Sequence, residues 1–347
     1  MKRTLLFILF TGICLGIRAQ VMDWGAPQKI IARNAYCKFV GNTRNAYYYL
    51  RGKKTDFKND LTLEKYNRDL VLEWSKSLPL SRYSAICRGV LLTTEGIVVI
   101  ESDENFNSGL TEVGCFTMNE SGEVSSSYTG LFKVKTAAFY NDDDDERFMV
   151  RQNAAGTAFA VVYTLQPERK QPQTEYNIFS ASGQPVTSGG YVYPLRADPF
   201  FINDVIFEHG NLFMLTSYHE NGKRIPDGNY QHDVIRLLSS GNTAERIPVS
   251  LENKIQSDLG IYYDTLLNRL QLTGFYSEKK STSAAGVACY TLPDNSNTIN
   301  SAFTPFPKEL LAKIIGERNS EKEKEMEDFV VNKIVPRSDG GLMAEVP

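Results

Sequence analysis

The 347-residue sequence has little of what usually marks a metal site or an acid–base centre, with three histidines in all. His209, His219 and His232 do not have the four-residue spacing of two zinc ligands on one helix. Two of them stand beside predicted turns, so we expect turn or surface histidines, no metal and no cofactor. A metal site would need His209 and His219 to meet across a hairpin beside Glu208 or Glu220.

A charge excess of one sign is also absent, because 38 Lys and Arg stand against 41 Asp and Glu. This balance provides no field for a phosphate backbone, and we expect no nucleic acid partner. After residue 19, no stretch approaches the roughly 18 uninterrupted apolar residues of a membrane helix, so we expect no transmembrane segment. The acidic run from Asn141 to Glu146 lacks the interleaved spacers of a calcium loop and predicts a solvated loop, with weak calcium capture as the alternative.

The first residues have the features of an export signal. Two basic residues precede an apolar run from Leu5 to Leu15, and Ala19 provides a small residue at a cleavage site before Gln20. The sequence therefore predicts a signal peptide over residues 1–19 and an exported domain over residues 20–347. We expect this domain in the periplasm, on the outer cell surface or outside the cell.

The clearest positive feature is an internal repeat with an offset of fifty residues. Val21-Met22-Asp23-Trp24 is answered by Val71-Leu72-Glu73-Trp74, and Ala35-Tyr36-Cys37-Lys38 by Ala85-Ile86-Cys87-Arg88. A period of roughly 40 to 50 residues filled with short apolar runs is typical of β-propeller blades. The repeat therefore predicts the shape of the protein and not its activity.

Two sets of tight turns divide the repeats into strands. The first set precedes an apolar strand and consists of Gly96, Gly156, Gly210, Asn268 and Gly340. The second set closes alternating hairpins and consists of Gly122, Gly183, Gly241 and Asn295. These signals predict an all-β protein, a β-propeller of about six four-stranded blades.

The ends of the repeat region predict how the ring closes. Val21 to Trp24 matches the outermost strand of the first repeat, and pairing it with the last blade would remove unpaired edges. The last blade has only two strands, Phe329 to Val335 and Leu342 to Val346. We therefore expect a last blade that is incomplete or closed by the N-terminal strand, and a C-terminus that is truncated.

One segment, residues 307–328, predicts helix. Leu310 and Ile314 share a helical face after Pro307, and Ser320 with Glu323 forms a capping box. We expect two short helices inserted between blades and packed on the rim. The alternative is a docking site for a partner.

Four cysteines follow the signal peptide, an even number that permits disulfides after export. Cys37 and Cys87 occupy equivalent places in successive repeats, and Cys115 and Cys289 can be aligned in the same way. Equivalent strands of different blades stand further apart than the roughly 7 Å between Cα atoms that a disulfide tolerates. We therefore expect buried free thiols.

The Ala19-Gln20 cleavage site, the Trp-bearing repeats and the closing segment resemble those of secreted β-propeller proteins of Gram-negative, Bacteroidota-type bacteria. The closing segment runs from Val331-Asn332-Lys333 to Ser338-Asp339-Gly340-Gly341. The resemblance covers most of the chain after the signal peptide and carries no catalytic residues. The signature motifs of WD40 repeats, kelch repeats and sialidases are absent from the sequence.

The Asp264-Thr265-Leu266 segment resembles the acceptor motif for O-linked glycans in exported proteins of such bacteria. Because it falls in a predicted turn, the Thr265 hydroxyl would be accessible to a transferase. The alternative is a turn in which Asp264 accepts hydrogen bonds from nearby backbone amides.

The candidate site lies at the centre of the predicted ring. Aligning the presumed innermost strands brings together Asn203, Asp204, Asp258 and Lys333, alongside Lys38 and Arg88. Such side chains line a hydrated channel or bind a small ligand at its mouth.

No Gly-x-Ser-x-Gly nucleophile motif occurs in the sequence. We predict a non-catalytic binding or scaffold module for an unknown protein or glycan ligand. The alternative is a glycan- or peptide-processing enzyme with acid and base carboxylates at the channel mouth, about 5 to 10 Å apart.

Overall fold

The computed structural model describes the chain from residue 35 onward, with gaps. The described residues are 35–53, 61–82, 84–105, 107–139, 148–168, 171–195, 197–220, 230–238, 243–278, 283–294, 296–321, 324–327, 333–336 and 342–345. The predicted signal peptide, the Val21 to Trp24 strand and the Asn141 to Glu146 loop therefore lie outside the described residues. Within them, we find no helix with the length and hydropathy needed to cross a membrane.

Five antiparallel sheets of four strands form most of the described structure. The first sheet is β1 (Ala35–Asn42), β2 (Ala46–Lys53), β3 (Thr62–Asn67) and β4 (Leu72–Ser77). The second is β5 (Ile86–Thr93), β6 (Gly96–Asn105), β7 (Leu110–Met118) and β8 (Val124–Lys135). The third is β9 (Met149–Gln152), β10 (Ala158–Glu168), β11 (Gln171–Ser180) and β12 (Pro185–Val192).

The fourth and fifth sheets repeat this plan. The fourth is β13 (Ala197–Glu208), β14 (Asn211–Glu220), β15 (Gln231–Leu237) and β16 (Ala244–Pro248). The fifth is β17 (Ile255–Asp264), β18 (Arg269–Ser277), β20 (Gly286–Pro293) and β21 (Asn300–Pro305). A short strand, β19 (Ser283–Ala284), leaves the fifth sheet and pairs with β22 (Met326–Glu327).

The sheets are the blades of a propeller, because the first strand of each sheet contacts the first strand of the next. The contacts run in order from β1 to β5, β9, β13 and β17. The prediction of an all-β propeller is confirmed, but the predicted count of about six blades is wrong, since the described residues form five four-stranded blades. The last predicted turn, at Gly340, lies outside the described residues. The strands before and after it in sequence, β23 (Lys333–Pro336) and β24 (Leu342–Glu345), form a two-stranded sheet, and β23 lies beside β17.

The turns fall where the sequence placed them, between the first and second strands of the blades. Gly156 and Gly210 adopt φ angles of 66° and 77°, in the left-handed region that glycine enters without steric cost. Asn268 takes the same role in the fifth blade with a φ of 45°. The turn residues therefore mark the strand boundaries for a conformational reason.

The core consists of apolar layers between successive blades, and single strands contribute to two layers. In β6, Ile97 and Val99 pack in a cluster with Tyr48 of the first blade. Val98 and Ile100, which alternate with them, pack in a cluster with the third blade. Because successive side chains of a strand point to opposite faces, β6 is buried on both sides and reads as a continuous apolar run.

Trp74 lies on β4, the outermost strand of the first blade, as the repeat predicted. Its indole Nε1 donates a hydrogen bond to the Glu120 carbonyl oxygen at 3.0 Å. Its ring meets the Tyr48 ring edge-on, with centroids 6.1 Å apart. The indole therefore joins the first blade to the turn between β7 and β8.

Two helices lie inside the predicted insertion: α1 (Lys308–Ile315) and α2 (Glu317–Glu321). The predicted capping box at Ser320 is wrong, because Ser320 lies within α2 and its hydroxyl donates to the Lys308 carbonyl oxygen at 3.1 Å. Gly316, with a φ of 84°, ends α1 and lets α2 begin at once. A single 3₁₀ turn, Thr136–Ala138, is the other helical element of the described residues.

All four cysteines of the domain are free thiols, as predicted. Cys87 and Cys115 are buried, and burial raises the pKa of Cys87 to about 12. Cys37 and Cys289 are exposed, so the prediction of burial is wrong for these two.

Candidate functional site

The structure places five of the six predicted channel residues on the first strands of their blades, and the sixth, Lys333, on the two-stranded sheet beside β17. They are Lys38 on β1, Arg88 on β5, Asn203 and Asp204 on β13, Asp258 on β17, and Lys333 on β23. The side chains of Asp258 and Lys333 lie outside the described part of the structure. The alignment of the repeats therefore found the strands that surround the axis.

A β-bulge interrupts the first strand in four of the five blades. The irregularities fall between Phe39 and Gly41, Cys87 and Gly89, Ile202 and Asp204, and Gln256 and Asp258. A bulge leaves one residue unpaired and changes the direction of its side chain. Arg88 and Asn203 are such residues, and each contacts a serine of the second strand: Arg88 Nε donates to Ser102 Oγ at 2.7 Å, and Ser217 Oγ donates to Asn203 Oδ1 at 2.6 Å.

The first strands of three successive blades each carry a positive side chain. Arg151 of β9, which the sequence analysis missed, donates to Asp204 Oδ1 through Nη2 at 2.5 Å and through Nε at 3.2 Å. The Arg88 guanidinium lies over the Phe148 ring, 5.3 Å from its centroid. Lys38 completes the set, and we call Lys38, Arg88, Arg151, Asn203 and Asp204 the axial cluster.

Lys38 experiences the excess positive charge of this cluster. Its pKa is lowered, because the surrounding protein removes part of its hydration and because the Arg151 guanidinium is close. None of the ion pairs among the described residues includes Lys38. The residue as a whole is nevertheless exposed, so part of its side chain is in contact with solvent.

A cleft of about 240 Å³ opens where the first strands of the same three blades end. Its wall consists of residues 40–42, 92–94, 152 and 154–156. The Oε1 atom of Gln152 is buried and has no hydrogen-bond partner within the described part of the chain. The surface of the cleft is therefore largely polar.

A chain of buried hydrogen bonds ends on Asn203 of the axial cluster. Ser217 Oγ bonds to Asn203 Oδ1 at 2.6 Å and lies 2.8 Å from His232 Nδ1. His232 is 3% exposed, so the prediction of a turn or surface residue is wrong for it. It lies on β15 directly opposite Ser217, on the face that packs against the fifth blade. Burial lowers its pKa to about 4.

The other two histidines do not form the metal site considered above. His209 lies in the turn after β13 with a φ of 50° and is exposed, as predicted. His219 lies near the far end of β14, where it is buried against the Tyr230 ring, so the prediction of a turn or surface residue is wrong for it as well. The length of β14 separates the two, and no group of three metal-ligating side chains occurs among the residues described.

His232 predicts a measurable pH dependence of stability. The unfolded imidazole takes up a proton below about 6.5 and the folded one only below about 4, so acid favours the unfolded chain between these values. The contribution of the neutral His232 imidazole to the free energy of unfolding is complete above pH 6.5 and falls by about 3 kcal/mol as the pH drops to about 4. We expect His232→Val to remove this difference in urea unfolding at a series of pH values. Parallel profiles for the two proteins would contradict the assignment.

Two neighbouring carboxylates are occupied by the linker between the first and second blades. Both Glu101 oxygens accept the Ser81 backbone N–H, at 3.0 and 3.2 Å. Asp103 accepts from Ser84 Oγ at 2.5 Å and from Arg82 Nη1 at 2.7 Å. Both acids are buried, and burial raises the pKa of Glu101. This pair therefore fastens the linker to β6.

Thr265 lies in an exposed turn of residues 265–268. Asp264 Oδ1 accepts hydrogen bonds from the backbone N–H groups of Leu266 and Leu267, both at 3.1 Å. This is the structural use of aspartate that the sequence analysis gave as the alternative to glycosylation.

By sequence, the chain matches no protein-family model and no curated protein. Among solved structures it is similar to an acylaminoacyl peptidase in complex with Z-Gly-Gly-Phe-chloromethyl ketone, with a TM-score of 0.50 and 12% identity over 90% of this chain and 43% of that chain. Uncomplexed Pyrococcus horikoshii acylaminoacyl peptidase gives 0.50 and 12% over 92% and 44%. The β-propeller domain of the Trilobed protease from Pyrococcus furiosus gives 0.49 and 14% over 90% and 79%.

The chain spans less than half the length of the two acylaminoacyl peptidase chains. At 12% identity, the likeness concerns the path of the backbone and no particular side chain. What this chain shares with these proteins is the β-propeller fold.

Proposed function

We propose that this protein is a non-catalytic binding module that receives its ligand at the axial cluster and the adjoining cleft. The observation that carries the proposal is Lys38, an accessible cation beside Arg151 and outside every ion pair of the described residues. Ligand sites in proteins are concave and contain a few convergent polar groups. The ends of three first strands form such a concavity here.

The alternative, glycan or peptide processing at the channel mouth, has the peptidases of similar fold in its favour. That support is an analogy between folds, and function depends on the residues of the site. Glycoside hydrolysis requires two carboxylates that flank the substrate. Glu101 and Asp103 are neighbours on β6, but both are engaged with the linker. We therefore favour binding.

The proposal is tested by ligand-observed NMR with a library of neutral, anionic and cationic small solutes. Ala155 lines the cleft and is exposed, so Ala155→Trp should obstruct the mouth. Asn107 lies in an exposed turn at the other end of β6, and Asn107→Trp is the matched control.

We expect solutes that bind the wild type and Asn107→Trp and lose binding to Ala155→Trp. The proposal would be refuted if no solute binds the wild type, or if the solutes that bind it bind Ala155→Trp equally well. Turnover of a bound solute would support the enzyme instead.

We further propose that the domain acts after export, in the periplasm, on the outer cell surface or outside the cell. This rests on the signal-like segment of residues 1–19. Fractionation of the native host should recover a protein that begins at Gln20. Recovery of the chain in the cytoplasm with its first 19 residues would refute the proposal.

Thr265 is tested by the intact mass of protein exported by the native host, beside a Thr265→Ala variant. A glycan mass on the wild type that is absent from the variant would show modification of this hydroxyl. If each protein instead has the unmodified mass of its own sequence, the turn has a structural role alone, which is the role that the hydrogen bonds of Asp264 already give it.

A further inference from the structure

The turn between β7 and β8 of the second blade receives the Trp74 side chain of the first. Asn119 shapes this turn, because its Oδ1 atom accepts two backbone N–H groups of the turn, both at 3.0 Å. The Trp74 indole donates to the Glu120 carbonyl oxygen at 3.0 Å. Gly122 has a φ of 76°, and a Cβ atom on it would lie 3.1 Å from the indole ring. The ring therefore lies directly against the turn.

The turn between β3 and β4 of the first blade has the same construction. Asn67 Oδ1 accepts two backbone N–H groups of this turn, at 3.0 and 2.9 Å. Leu70 has a φ of 58° and stands at the position of Gly122. By this correspondence, the Arg68 carbonyl oxygen occupies the place of the Glu120 carbonyl oxygen. The first blade therefore has an equivalent of the surface that binds Trp74.

This turn of the first blade is held in place and is open to solvent. The Arg68 guanidinium donates to two carbonyl oxygens of the turn between β1 and β2, both at 2.7 Å, and to the Tyr47 hydroxyl at 2.9 Å. Leu70 is 39% exposed, and the next two residues, Val71 and Leu72, are 58% and 46% exposed. Three successive apolar side chains on an ordered turn form a surface suited to a contact.

The sequence contains a second copy of the motif around Trp74, from Val21 to Trp24, outside the described residues. Trp24 precedes Ala35 by eleven residues, as Trp74 precedes Ala85. Ala35 begins β1 and Ala85 directly precedes β5, so each tryptophan has the same length of chain before the blade that follows it. Eleven extended residues span at most about 36 Å. Since this length lets Trp74 contact the second blade, Trp24 can contact the first.

We infer that Trp24 docks on the turn between β3 and β4. Its ring packs against Leu70, and its indole Nε1 donates to the Arg68 carbonyl oxygen. Because Leu70 stands where the second blade has glycine, the ring rests on the leucine side chain and lies further from the backbone than the Trp74 ring. A tryptophan buries about 150 to 250 Å² of surface. The contact would therefore fasten the segment before β1 to the first blade.

Tryptophan fluorescence measures this contact, because the sequence contains two tryptophans in all. Trp74→Phe leaves Trp24 as the sole emitter, and Trp24→Phe leaves Trp74 as the reference for a docked indole. We expect acrylamide to quench the emission of the two folded proteins to a similar extent. In each, the quenching should be several-fold weaker than for the same protein in urea.

Substitutions at residue 70 assign the contact. In the Trp74→Phe protein, Leu70→Asp should raise the quenching of Trp24 several-fold, to the level measured in urea. Leu70→Asn should act in the same direction without a charge, and both residues tolerate a positive φ. Leu70→Gly should preserve docking, because the second blade has glycine at this position. Val186 is 62% exposed on β12, so Val186→Asp is the matched control and should leave Trp24 unchanged.

The same substitutions in the Trp24→Phe protein report on the fold. Leu70→Asp should leave the quenching of Trp74 low there, which shows that the first blade is intact. Two results would overturn the inference. One is a Trp24 that is quenched in the folded protein as strongly as in urea. The other is a protected Trp24 that neither Leu70→Asp nor Leu70→Asn affects, since the indole would then dock elsewhere and the turn would be free for another partner.

Discussion

Replacing Arg246 with methionine should destabilise the protein by about 3 to 5 kcal/mol. Asp233 is 1% exposed on the third strand of the fourth blade, and Arg246 Nε donates to its Oδ2 at 2.5 Å. The Tyr193 hydroxyl also donates to Oδ2, and Arg246 reaches the Tyr218 hydroxyl at 2.8 Å. Burial raises the pKa of Asp233 and Arg246 opposes that shift. Without Arg246, a buried carboxylate loses its counter-charge.

Urea unfolding at neutral pH measures this effect. Lys133→Met is the control, because its 3.6 Å pair with Glu112 is exposed and should contribute less than about 1 kcal/mol. The double variant Arg246→Met with Asp233→Leu should recover part of the loss, since it removes the charge together with its partner. A loss below about 1 kcal/mol for Arg246→Met would show that water replaces the guanidinium.

Phe213→Ala should also cost about 3 to 5 kcal/mol, because it opens a cavity between two blades. Phe213 is 1% exposed on β14 and packs in a cluster that includes Leu259 and Ile261 of the fifth blade. Leu266→Ala is the control, since Leu266 is 82% exposed in the turn after β17 and should change stability by less than about 0.5 kcal/mol. Equal effects of the two variants on the urea midpoint would mean that the layers between blades do not limit stability.

The strand pattern could be read from the sequence because its signals are local. Gly156, Gly210 and Asn268 occupy turns that require positive φ angles, so their spacing gives the strand boundaries directly. The blade count was wrong for a related reason. The Gly340 motif predicts one turn and the strand beside it, whereas a blade needs four strands. The described residues on either side of Gly340 form two strands.

The site could be predicted only in part. Asn203 and Asp204 were found because repeat alignment identifies equivalent strands, but Arg151 was missed because β9 has four residues and little alternation to recognise. His232 was missed because a turn or surface position was expected for every histidine of the sequence. A finer alignment of the blades would have indicated that His232 is buried. His232 pairs with Ser217 in the fourth blade, and at the corresponding position of the second blade the buried Val113 pairs with Ser102.

The order of strands within each sheet bears on how the chain acquires its structure. In the second blade, all pairing partners fall between Ile86 and Lys135, and each strand pairs with its neighbour in sequence. Such local pairing requires only short loop closures, so one sheet can form before the next has been synthesised. One face of that sheet can pack against the first blade at once. Its other face stays in water until the third blade has been synthesised. We therefore expect the exposed apolar surface, and with it the risk of aggregation, to rise and fall once per blade during translation. Chaperone binding should rise and fall with it.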